Sequence, residues 1–219
     1  MTAATIRSRR TGLLLIDIQE GFRDPKHWGT SRSTPNFEAN VAALLATFRA
    51  SRRPIFHVCH HSHFPSSPLH PDKVTSGFMS CAAPEQGEGI FPKTTNSPFI
   101  GTSLASEIAV SGISRLVICG LMTTHCVSTA VRMASNLQVV PHLYGTPFAE
   151  DKTGYEDALV LVDDATATFN VQWGGKDFDA ETVHAVHLSS LNDEFCKVAS
   201  TQWVIQYLLP NEVETTNRV

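Results

Sequence analysis

Residues 11–18, TGLLLIDI, form an apolar run with no alternation until its acid. A strand that is wet on one face alternates apolar with polar side chains. An unbroken apolar strand must be covered on both faces, as in a parallel sheet between layers of helices. Residues 54–59 (PIFHVC), 116–119 (LVIC) and 158–162 (ALVLV) read the same way. The segments between them carry a helical period instead. Residues 36–51 place Val41, Leu44, Leu45 and Phe48 on one stripe. A helix capped by Thr102 or Ser103 runs to about Gly112 with Leu104, Ile108 and Ala109 inward. From Val127, apolar positions recur at Val131 and Ala134, and over 180–191 at Val183, Val186 and Leu191. Residues 90–93 add a short extended piece, 194–199 a last strand, and 201–209 a last helix capped by Ser200 or Thr201. Strand and helix alternate throughout, which predicts an α/β fold.

The chain has 219 residues, 42% of them hydrophobic, enough for one α/β domain over 1–219 with a full core. Residues 1–10 and 211–219 read as frayed ends. The start is Arg-rich but lacks the long apolar core of a secretory leader. Net charge is −4, which points away from nucleic acid and anionic membrane surfaces. No apolar run approaches the roughly 20 residues of a membrane span. The five cysteines, Cys59, Cys81, Cys119, Cys126 and Cys196, are odd in number and form no CxxC pair. That argues against a disulfide framework and a cysteine zinc site, and for a reduced, cytoplasmic protein.

Three residues stand at strand ends, where ligand crevices of open α/β sheets lie. Asp17 ends the first run; its plain alternative is a cap for the following turn. Lys93 ends the extended piece at 90–93; its alternative is a solvated side chain. Cys126 falls between the 116–119 run and the helix from Val127, for which Thr123 and Thr124 are candidate N-caps. A helix N-terminus favours thiolate there; otherwise Cys126 is a small buried hydrophobe. A thiol nucleophile needs a base and a neighbouring cation, and an acid with a lysine supplies both. Phe22 and Trp28, in the loop 19–33, either line a pocket or pack under the loop. Residues 165–179 leave the carboxyl end of the fourth apolar run, with Gly174–Gly175 as a possible hinge. His60, His61, His63 and His70 cluster after the second strand, but no acid joins them before Asp72. They read as pocket wall or surface, or else as a metal site.

The segments LLLIDIQEGF, FPKTTNSPFIGTSL and VICGLMTTHCVSTAVRMASN, continued by DATATF and ETVHAVHLSSL, together resemble the isochorismatase-like cysteine hydrolases. That superfamily includes nicotinamidases and N-carbamoylsarcosine amidohydrolases. The resemblance implies a three-layer α/β/α sandwich around a mostly parallel six-stranded sheet. It implies an Asp17–Lys93–Cys126 triad and a cis peptide between Leu121 and Met122. It further implies an oxyanion hole from the N–H groups of Met122 and Cys126. The implied reaction is cofactor-free hydrolysis of a C–N bond in a small amide, carbamoyl or ureido compound through a thioester. Substrate contacts are then expected from Phe22, Trp28, His60, His61, Phe99 and Phe169 on crevice-side loops. Relatives form homodimers or homotetramers, so an oligomer is expected.

The departures from the pattern also bear on function. Metal-dependent nicotinamidases carry Asp-x-His where this chain reads His61-Ser62-His63, so no metal site is assigned. A nicotinamidase-like metal amidase using His61, His63 and His70 remains the alternative. Isochorismate-cleaving members hydrolyse a vinyl ether without the nucleophilic cysteine, and Cys126 argues against that reaction. A non-catalytic binding protein on the same scaffold is the third alternative. Residues 139–157 look like an insertion at the amino ends of the strands, opposite the crevice.

Overall fold

The computed structural model describes residues 10–140 and 157–209. The frayed-end expectation at 211–219, that at 1–10 apart from Arg10, and nearly all of the 139–157 insertion lie outside the described residues. The first apolar run becomes β1 (Thr11–Ile16), buried at every residue. Its odd side chains, Leu13 and Leu15, enter one core with Val41, Leu44 and Phe48. Its even ones, Leu14 and Ile16, enter a second core with Ile108, Val127 and Val131. The unbroken apolar pattern therefore reflects two covered faces.

β2 (Ile55–His60) and β3 (Gly89–Lys93) extend the sheet to one side of β1. β4 (Arg115–Leu121), β5 (Leu159–Ala167) and β8 (Lys197–Ala199) extend it to the other. The order is β3-β2-β1-β4-β5-β8 and every pairing is parallel. Helix α1 (Phe37–Ala50) covers the first core, and α2 (Leu104–Ser111), α3 (Ser128–Asn136) and α4 (Ala180–Leu191) lie against the second. The chain builds outward from β1 to β3, then returns to β4 on the far side of β1. That reversal opens a crevice at the carboxyl ends of β1 and β4, the switch-point position for ligands in such sheets.

Several boundaries differ from the sequence reading. β5 runs on through Asp163 and Asp164, because Thr166 and Ala167 pair with Gly120 and Leu121 of β4 beyond a register shift. The last strand shrinks to Lys197–Ala199, because the chain turns at Asn192–Cys196 before it. Ala109 is exposed and Val186 is 61% exposed, since each helix buries a narrower stripe than its period allows. Gly174–Gly175 is a turn and not a hinge. With φ of 60° and 73° it closes a hairpin of β6 (Val171–Trp173) and β7 (Lys176–Phe178), the two-residue connection that needs positive φ at both positions.

Candidate active site

β1 ends at Ile16, and Asp17 turns off the strand at φ 52°, a left-handed conformation that aspartate tolerates better than most residues. Its side chain is fully buried, and its Oδ2 accepts from Lys93 Nζ at 2.6 Å. Lys93 is the last residue of β3, two strands away, and its side chain reaches back under β2. The same ammonium lies 3.2 Å from Cys126 Sγ, 3.3 Å from His60 Nδ1 and 3.1 Å from the Thr95 carbonyl. A single cation thus sits among the carboxylate, the thiol and an imidazole.

Cys126 lies in a π-helical turn, Thr123–Val127, that follows β4 and runs directly into α3, so it is near the N-terminus of that helical segment. Neither threonine caps. The Thr123 hydroxyl pairs with His184 Nδ1 at 2.8 Å, and the Thr124 hydroxyl lies 2.7 Å from His125 Nδ1 and 3.1 Å from Thr168 Oγ1. The Val127 N–H reaches back to the Met122 carbonyl at 3.2 Å. The peptide between Leu121 and Met122 is cis. Asn96 Oδ1 lies 3.9 Å from Cys126 Sγ.

Electrostatics in this cluster run against the thiolate expectation. Burial first, and then the Asp17 charge, push the Cys126 thiol up to about 12, with Lys93 opposing. Burial likewise raises the Asp17 carboxyl, although Lys93 and Cys126 pull it down. Lys93 is disfavoured by burial, but Asp17 and Cys126 outweigh that and hold its ammonium charged. Burial and the Lys93 charge lower His60 to about 4, so its ring is neutral. The site thus holds Lys93 against Asp17 at 2.6 Å, beside a thiol that burial keeps protonated.

A cavity of about 320 Å³ opens over this cluster, with Lys93 buried beneath it. Asp17, Cys126, Met122, His60, Phe22 and Trp28 all line it. Trp28 stacks on Phe22 at 4.8 Å between ring centroids and anchors its indole N–H on the Gly21 carbonyl at 3.0 Å. Three expected contacts do not reach the cavity. Phe169 stacks behind Trp28 at 5.8 Å. Phe99 packs on the second core. His61, one residue out of phase with His60, lies with its Nε2 3.7 Å from Cys59 Sγ. Sequence reasoning missed His27, His125, Asn96 and Leu69 in the wall. It also missed Gln19, whose amide oxygen accepts the His60 N–H at 2.7 Å while its NH₂ donates to the Ser76 carbonyl at 2.6 Å.

Among the described residues, Asp17, His60 and Cys126 bring three potential metal-ligand atoms within 4.8 Å of one another. The Lys93 ammonium contacts all three side chains, so it already occupies the place a cation would take. His63 is exposed, and the His70 Nδ1 accepts the Asp72 N–H at 3.3 Å; neither joins this group. No helix among the described residues is long and apolar enough to cross a membrane.

Comparison with known proteins gives a consistent family signal. The family described as Isochorismatase domain matches residues 11–202. The uncharacterized isochorismatase family protein YrdC of Bacillus subtilis is 32% identical over 197 residues, covering 90% of this chain and 95% of its own. A structure of an isochorismatase-family protein from Chromobacterium violaceum superposes with a TM-score of 0.78 at 34% identity, covering 91% of this chain and 93% of that one. A more distant similarity, 27% over 163 residues, is to the maleamate amidohydrolase of Pseudomonas putida, covering 67% of this chain and 73% of that enzyme.

Proposed function

The chain belongs to the isochorismatase family of hydrolases, and on that premise we propose that it hydrolyses a C–N bond in a small amide, carbamoyl or ureido compound through Cys126. The observation that carries this reading is the position of Lys93 Nζ, 2.6 Å from Asp17 Oδ2 and 3.2 Å from Cys126 Sγ, both of which line the cavity. An amidase among the similar proteins is consistent with it.

In the reaction, the Asp17 carboxylate removes the Cys126 proton as the thiolate attacks the carbonyl carbon. The high thiol pKa means that the nucleophile is made on demand, in the presence of substrate. Lys93 keeps its charge through the transfer and stabilises the sulfur anion as the carboxylate loses its own charge. The tetrahedral oxyanion rests on the N–H groups of Met122 and Cys126, each donor supplying about 3–4 kcal/mol. The C–N bond then breaks, and protonated Asp17 gives its proton to the departing amine or ammonia. Asp17 next takes a proton from water, the hydroxide attacks the thioester, and the returning proton restores the Cys126 thiol. No cofactor enters this cycle.

Mass spectrometry of the protein after exposure to a panel of amides and ureides tests the reading. A trapped acyl mass on the Cys126 peptide, with turnover lost in Cys126→Ala, is expected. Undiminished turnover in Cys126→Ala removes the nucleophile assignment.

A further inference from the structure

His184 lies on α4, outside the cavity, and is 7% exposed. Its Nε2 lies 3.1 Å from the Asp163 carbonyl of β5. A carbonyl only accepts, so Nε2 carries the hydrogen. In the neutral ring Nδ1 is then an acceptor, and it faces the Thr123 hydroxyl at 2.8 Å. Thr123 is fully buried, so this hydroxyl donates to His184. Burial lowers the His184 pKa, in keeping with a neutral ring.

Thr123 is the first residue of the π-helical turn that carries Cys126 and follows Met122 directly. That turn therefore has one buried hydroxyl pinned to a helix and, through it, to β5. We propose that His184 is a positioning residue that sets the register of the Thr123–Val127 turn, through Thr123, so that Cys126 Sγ sits within reach of Lys93 and Asp17. This rests on the thiol-hydrolase reading for its consequence in turnover, but not for its geometry. An ångström of misplacement in such a site costs about a hundredfold in rate. The sulfur also depends on its short distance to Lys93 for what thiolate it forms.

The test uses Thr123→Val, which keeps the shape and removes the hydroxyl, and Thr123→Ser, which restores it. His184→Ala and His184→Asn form the matching pair, since an asparagine oxygen can replace Nδ1 as acceptor. Alkylation of Cys126 by iodoacetamide, followed on its peptide by mass spectrometry, reads thiol reactivity without any substrate. Thr123→Val and His184→Ala are each expected to slow it about tenfold. Thr123→Ser and His184→Asn are expected to return most of the rate, and Thr123→Val/His184→Ala to be no slower than either single change. With an amide substrate, the loss falls on kcat with KM within about twofold. A merely structural role predicts a loosened turn: unchanged or faster alkylation, with additive losses of thermal stability. Either of those results overturns the proposal. Absence of amide turnover alongside the alkylation pattern would instead count against the hydrolase reading alone.

Discussion

The Cys126 thiol is harder to ionise than a free cysteine, and the residue responsible besides burial is its own base. Asp17 raises the thiol pKa by charge repulsion while being the acceptor of its proton. Asp17→Asn separates these two effects. Turnover should fall by about 10²–10⁴-fold, the usual contribution of a general base. The alkylation profile of Cys126 against pH should nevertheless move to lower pH, because Lys93 then acts on the sulfur unopposed. A profile that moves to higher pH would show that Asp17 favours the thiolate at rest. Asp17, Lys93 and Cys126 were legible in the sequence because each ends or follows an apolar run. Gln19, Asn96 and His184 were not. Their partners lie 41, 30 and 61 positions away, and no local period records such a meeting. His60 and His61 differ by one residue, and only the direction of the strand end decides which ring enters the cavity.

Two elements meet where Gly120 of β4 pairs with Ile16 of β1. Gly120 has φ 132°, and a Cβ there would lie 2.1 Å from the Ile16 carbonyl oxygen. The strands approach this closely one residue before Asp17 and two before Met122. Gly120→Ala should therefore destabilise the fold by about 3 kcal/mol through backbone overlap and an unfavourable φ. Urea unfolding measures this, and a midpoint within error of the parent would mean that the strands can part without cost. The pairing of β4 with β5 also shifts register between Ile118 and Gly120, so the irregularity is confined to the strand end that feeds the site. Elements with nearly continuous apolar runs, β1, β2 and β4, were evident from the sequence pattern, because two covered faces leave few polar positions. The β6–β7 hairpin was not, since its strands are three residues each and exposed throughout. Nor were the limits of β8, whose three residues are half-buried.

Across the whole molecule, charge is divided between the two edges of the sheet. The Asp17–Lys93 pair lies at the carboxyl ends. At the amino ends, Arg115 Nη2 binds the Asp157 carboxylate at 2.6 Å just before β5. Also at the amino ends, Glu88 precedes β3 and accepts from Arg49 of α1 at 2.7 and 2.8 Å, and from buried His57 of β2 at 2.8 Å. Burial raises the Glu88 pKa, but the Arg49, Glu85 and His57 hydrogen bonds outweigh it and bring the carboxyl down to about 2 from 4.5. The unfolded chain therefore binds this proton more readily between those values. The stabilisation is complete above pH 4.5 and is lost as pH falls toward 2. Asp17, with its raised pKa, has the opposite dependence: it costs the fold stability once ionised, and that cost disappears on acidification. Because Asp17 is common to the parent and Glu88→Gln, it cancels in their difference. Glu88→Gln should lose about 2 kcal/mol at neutral pH, the scale of hydrogen bonds to a charged group. The gap should close as pH falls from 4.5 toward 2. Urea midpoints of both proteins across that range decide the matter, and curves that stay parallel would place the fold's acid sensitivity in a group other than Glu88.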